Sequence, residues 1–137
     1  MVYVLAFIGM FCWGVAPLFV KLGLQSINPL VGLAIRTTFT IIIIFSWMLM
    51  DGSFLKLKYV SSSALLLLAI EAVLATLVGD LAYFAAIKRG EVSLVTIIMA
   101  CSPLITIACS ILFLGEQVTV ARMIGAGLII VGIVMAT

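Results

Sequence analysis

Apolar runs long enough to cross a bilayer follow one another along nearly the whole chain, separated only by short polar breaks. A spanning helix takes about 20 predominantly apolar residues, so five helices and their loops use up all 137 residues. No length remains for a soluble domain. Backbone in hydrocarbon must satisfy its own hydrogen bonds, and runs of this length do so as helices. Composition agrees, with 66% of residues apolar and 9% charged, against roughly 45–50% and 25% in soluble domains. The sequence therefore predicts an all-α, polytopic membrane protein with five transmembrane helices, forming one unit over residues 1–137.

The breaks carry recognisable helix signals. The first run extends from about Tyr3 to Leu22. It lacks the basic lead-in of a secretory signal and is too long for one, so it predicts a retained helix. Asn28-Pro29 opens a second helix, with Asn as N-cap and Pro at the first helical position, reaching about Met50. Asp51-Gly52-Ser53 ends it, and a loop carrying Lys56 and Lys58 follows. Ser61-Ser62-Ser63 offers caps for a third helix to about Ile87, which Lys88-Arg89-Gly90-Glu91 closes. A fourth helix is predicted over Val92 to Leu114, ended by Gly115-Glu116, and Thr119 is placed to cap a fifth reaching Ala136. Short loops make consecutive helices antiparallel neighbours.

Seven Lys/Arg against five Asp/Glu are too few and too scattered to bind nucleic acid. Histidine is absent, which argues against a Zn site or a His-based triad. Cys12, Cys101 and Cys109 all fall in apolar segments, and the last two stand about 12 Å apart along one helix, too far to bridge. No cofactor, metal or enzymatic activity is expected.

Five spans place the termini on opposite sides. The loop cations then sort into Lys56, Lys58 and Arg122 on one side and Lys21, Lys88 and Arg89 on the other. Three against three gives no positive-inside bias. Either both orientations coexist or the rule fails for a protein this small. No internal repeat is found, so a symmetric pathway needs a second copy of the chain.

Arg36, Glu71 and Asp80 interrupt this apolar pattern. An ionisable group in hydrocarbon is costly unless it faces a partner or a wet cavity, so each marks a candidate functional site. Arg36 lies seven residues past Pro29 and Asp80 eight before Lys88, roughly 10 and 12 Å in from the same side. The matched levels permit an ion pair between the second and third helices. That pair reads either as an internal bridge or as a place where Arg36 meets an anionic or zwitterionic solute. Glu71 is ten residues past Ser61, about 15 Å deep and near the midplane. On a regular α-helix its nine-residue separation from Asp80 is about 180°, so the two acids are expected on opposite faces. No cation stands at the level of Glu71. A carboxyl group without water or counter-charge binds a proton or a cation, so Glu71 is a candidate coupling residue, with Asp80 as a second. The alternative is a Glu bonded to a neighbouring helix or facing a wet crevice.

Pro17 and Pro103 each remove a backbone donor within a span, freeing the carbonyls of Trp13 and Met99. Irregular backbone at membrane depth is tolerated where it is buried or lines a wet cavity, so both prolines are candidates for shaping a pathway. Trp13 and Tyr83 offer rings to stack on a solute, or else act as packing residues and interface anchors. Ala121, Gly125, Gly132 and Ala136 form a small-residue seam on the fifth helix. Such seams let backbones approach closely, either between two copies or against the fourth helix.

Several stretches carry a family likeness. AIKRGEVSLV, the SPL at Ser102–Leu104, the LFLGE at Leu112–Glu116 and GAGLIIVGIV from Gly125 resemble the EamA-type repeat of the drug/metabolite transporter superfamily. FCWGVAPLFVKLGL and the LAIRTTF around Arg36 are similar to that family's first two helices. The resemblance covers essentially the whole chain. It implies one five-helix repeat, paired with an inverted mate, with the first four helices of each repeat around a central cavity. Substrates in the family range over amino acids, cationic and drug-like compounds, vitamins and sugar derivatives. Most members fuse two repeats; a single repeat implies pairing, as an antiparallel dimer. The four-helix multidrug members carry a Glu in their first helix that this chain lacks, which argues against an antiporter of aromatic drug cations. The resemblance assigns no role to Glu71 or Asp80.

These readings converge on a secondary transporter of a metabolite or small solute, working by alternating access in a prokaryotic cytoplasmic membrane. Trp13, Arg36, Glu71 and Tyr83 are expected to line the pathway. The expected partners are the solute, lipid and a second copy of the chain. The rival reading is a non-transporting membrane subunit of a heteromeric complex. An intramembrane aspartyl protease is set aside, because it needs facing acids on two different helices.

Overall fold

The computed structural model describes residues 1–136, with the side chains of residues 1–135. The seam residue Ala136 is thus described in its backbone alone, and its side chain lies outside the described residues. All regular structure there is helical. Four helical stretches are long and apolar enough to span a membrane: Val2–Gly23, Pro29–Asp51, Ser62–Arg89 and Val92–Leu114. Val120–Met135 is a shorter apolar helix. The chain divides into two compact units, Met1–Arg89 and Gly90–Thr137.

In the first unit, α1 (Val2–Gly23) runs without interruption through Pro17. Pro17 removes one donor without ending the helix, because the rest of it stays bonded. The second helix, α2 (Pro29–Asp51), begins as its sequence dictates: Asn28 Oδ1 accepts from the Leu30 N–H at 2.9 Å, with Pro29 in the first turn. A cap of this kind contributes about 1 kcal/mol. Gly52 ends α2 in the left-handed region at φ +74°, which a side chain would resist. The Lys56–Lys58 stretch is a 3-10 helix, Ser53–Tyr59, rather than an open loop.

The third span is helical throughout but not uniformly so. It comprises α3 (Ser62–Glu71), a π-helical stretch over Ala72–Gly79, and α4 (Asp80–Arg89). Ser61 caps it, its Oγ accepting from the Ala64 N–H at 3.2 Å. In the wide stretch the Asp80 N–H reaches back five residues to the Ala75 carbonyl. Gly79 suits this turn, because a Cβ there would sit 3.1 Å from the Leu74 carbonyl oxygen.

Packing within this unit concentrates at one end. Leu24, Leu33 and Phe84 form a buried cluster, with Val20, Ile27, Leu81 and Tyr83 against it. Gly32 makes room for it, since a Cβ there would collide with Leu24 Cδ2. Elsewhere the large apolar side chains are mostly exposed, as expected of surfaces that meet lipid or another chain. The hydroxyls on those surfaces bond back to their own helix: Thr38 to the Ala34 carbonyl, Thr40 to Arg36 and Ser46 to Ile42. These three hydroxyls are thereby satisfied within their own helix.

In the second unit the fourth span is α5 (Val92–Met99), a tight turn at Ala100–Cys101, α6 (Ser102–Cys109) and a π stretch over Ser110–Leu114. Pro103 lies in the first turn of α6. The turn uses short-range bonds, Cys101 N–H to the Ile98 carbonyl and Leu104 N–H to the Cys101 carbonyl. Here a missing donor coincides with a local tightening. Gly115 takes φ +65° and ends the span. Finally α7 (Val120–Ala136) starts with the Thr119 carbonyl accepting from Arg122 and Met123.

Candidate functional site: a charged pair inside the spans

Arg36 projects from the second turn of α2, and Asp80 opens α4 just past the wide turn. Arg36 Nη2 donates to Asp80 Oδ2, joining residues 44 apart in sequence. The guanidinium also lies over the Phe84 ring, 5.4 Å from its centroid, within range of a cation–π contact. The pair that the matched depths permit therefore forms. It is not sealed: the side chains are 45% and 28% exposed. An open ion pair about two turns inside a span needs a wet or proteinaceous surface beside it, not lipid.

Tyr83 is half-buried against the same apolar cluster, its ring 6.5 Å from that of Phe84. Trp13 stands apart on α1, 84% exposed. Glu71 is exposed at the end of α3. No hydrogen bond, ion pair or ring contact within Met1–Arg89 joins Trp13 or Glu71 to the Arg36–Asp80 pair. Of the four residues expected along a pathway, the structure gathers Arg36 and Tyr83 around one cluster and leaves the other two separate.

The expected opposition of Glu71 and Asp80 needs correction. The 180° figure assumes α-helical winding, yet the residues between the two acids are π-helical. Each such turn takes one residue more to close, which holds rotation back by roughly 100°. The two acids are therefore well short of opposite faces. Wide turns of this kind frequently mark functional positions.

Three further residues were not singled out from sequence. Phe84 carries the guanidinium, and its only signal was its position one turn from Asp80. Lys21 Nζ donates to the carbonyls of Ile87, at 2.8 Å, and Lys88, at 3.3 Å. Lys88 Nζ donates to the Ile27 carbonyl at 2.7 Å. In the sequence both lysines read only as loop charges.

Among the described residues no group of His, Cys, Asp and Glu is arranged to hold a metal ion. The three cysteines are free thiols. In the second unit, Ala121, Gly125 and Gly132 are exposed, and a Cβ at either glycine would meet nothing within 4 Å.

The family model of the EamA-like transporters matches residues 1–137. The chain belongs to the EamA-like transporter family. Its five apolar helices are those of a multi-pass membrane protein, and members of this family are transporters rather than enzymes. An uncharacterized protein of Methanocaldococcus jannaschii is 37% identical over 83 residues, which cover 58% of this chain and 61% of that relative. The chain thus matches about six-tenths of that relative's length. No solved structure matches the chain.

Proposed function

We propose that this EamA-like chain is a secondary transporter of small solutes in a prokaryotic cytoplasmic membrane. Residues 1–137 act as one five-helix repeat that pairs with a second copy, inverted, and the pair works by alternating access about an axis in the membrane plane. The observation that carries this reading beyond the family is the Arg36–Asp80 pair, charged and partly open within two spans. A chain that served only as a packing subunit would have no use for an exposed ion pair at that depth. Tyr83, against the same cluster as Phe84, shares the solute with the pair, and Trp13 contributes from α1. Glu71 couples transport to a proton, supported by its position beside the wide turn without a partner in its own unit.

The open small-residue seam supports pairing through α7. Among the described residues of the second unit, a Cβ at Gly125 or Gly132 would meet nothing within 4 Å, which leaves that face open to another chain. The balanced loop charges support the inverted arrangement.

Two reporters fused after Thr137, one active only outside the cytoplasm and one only inside, test this arrangement. Strong signal from both is the expected result. Signal from one alone would rule out the inverted homodimer and call for a different mate. Purified protein in liposomes, screened for flux of small zwitterions, cations and anions, separates a transporter from an assembly subunit, which moves none.

A further inference from the structure

The closed end of Met1–Arg89 is built in layers. Outermost are two lysine contacts that cross each other. Lys21, in the last turn of α1, reaches the carbonyls of Ile87 and Lys88 at the end of α4. Lys88 reaches back to the Ile27 carbonyl between α1 and α2. Beneath them Leu24, Leu33, Phe84 and Ile87 are buried, Ile87 completely. Deeper in the span by sequence position lies the Arg36–Asp80 pair, with the guanidinium over the Phe84 ring.

Two features make the outer contacts unlike a permanent staple. A lysine near a span end ordinarily extends its ammonium to water, yet both of these turn to backbone of another element. Their acceptors at Ile87 and Lys88 are among the last carbonyls of a helix, which have no partner within it and carry the negative end of its dipole. When the contacts part, water at the membrane surface can take over both ammonium and carbonyl. The contacts are therefore selective for the closed arrangement but not costly to release. Packing is also one-sided, since the α1 stretch from Val2 to Trp13 is exposed along its length.

We propose that Lys21 and Lys88 are the latch of a gate that shuts this end of the solute pathway, with the four apolar residues as its plug. The assignment rests on the transporter reading above. Opening requires the α4 end to move away from the α1–α2 corner, which releases both lysines together.

The test is thiol accessibility in permeabilised membranes, where an impermeant maleimide reaches both faces. Cys12, Cys101 and Cys109 are first replaced by Ala. One reporter is Leu33→Cys, within the plug; a second protein carries Glu71→Cys, on the other side of the Arg36–Asp80 pair. Adding Lys21→Met with Lys88→Met is expected to raise labelling at Leu33→Cys about tenfold and to lower labelling at Glu71→Cys, as a shift between two states requires. Lys88→Arg, which keeps a cationic donor for the Ile27 carbonyl, should leave both rates near those of the latched protein. If both positions become more reactive, the lysines are a structural staple and the gate is overturned. Unchanged labelling at both overturns it as well. Reciprocal labelling, with no solute flux through the protein of unchanged sequence in liposomes, would remove the transporter reading while leaving the latch in place.

Discussion

The two acids of the third span stand on either side of its wide turn, and their surroundings differ in kind. Asp80 starts α4, accepts from Arg36 and lies next to the buried cluster of its unit. Glu71 ends α3, where neighbouring side chains are exposed and no cation of its own unit meets it. A charge already neutralised by a partner can hold helices together and still leave part of its surface for a ligand. A charge without one is open to something that arrives, and the function proposed above gives Glu71 a proton. Depth in the membrane alone therefore does not distinguish these two acids; the partner at each level does.

The largest effect that would sharpen this contrast belongs to Asp80→Asn. Removing one member of a buried pair costs about 3–5 kcal/mol, because the other charge is left uncompensated. Partial exposure of both side chains lets solvent screen part of that loss, so about 1–3 kcal/mol is expected here. Equilibrium unfolding in mixed detergent micelles measures it. Replacing both partners, Arg36→Met with Asp80→Leu, should recover most of the stability while abolishing any solute flux. A double variant as unstable as Asp80→Asn would show that the pair matters to packing in some way other than charge.

Next in size is Gly79→Ala, which acts on the turn that separates the two regions. In an ordinary helix interior this change is favourable by about 0.8–1.0 kcal/mol. At Gly79 the new Cβ would sit 3.1 Å from the Leu74 carbonyl, tighter than a relaxed contact. The sign should therefore reverse, with a loss of about 1 kcal/mol in the same unfolding measurement. A gain in stability would mean the span prefers regular α-helix, and Glu71 and Asp80 would return to opposite faces.

Much of this was legible in the sequence where one residue type has one strong local preference. Asn28-Pro29 and Ser61 placed two helix starts, and Gly52 and Gly115 two ends, because capping and left-handed geometry are local matters. The Arg36–Asp80 pair was also accessible, since the helical rise converts residue number into depth. The wide turn was not: Gly79 is compatible with several backbones, and nothing in Ala72–Val78 distinguishes i+5 from i+4 bonding. Nor were the lysine contacts, whose acceptors are backbone carbonyls that every residue possesses. The two prolines show the same limit. Pro17 sits in an unbroken helix and Pro103 beside a tightened turn, so a lost donor is legible while the response of the helix around it is not.

The smallest effect on stability should come from Glu71→Gln, and it is the sharpest test of the contrast. An exposed side chain with no partner in its unit contributes little to packing, so the change should stay within about 0.5 kcal/mol. Its consequence is expected in transport alone. If Glu71 carries the coupling proton, solute flux through the unmodified protein depends on external pH, and the amide variant, which cannot ionise, moves solute at a rate independent of pH. Asp80→Asn, by contrast, should depress flux at every pH, because it disturbs Arg36 whatever the proton concentration. Equal pH dependence in the unmodified protein and in Glu71→Gln would end the coupling assignment. The two acids would then differ in stability alone, and the partnerless carboxyl would be a hydrated surface group of a wet crevice.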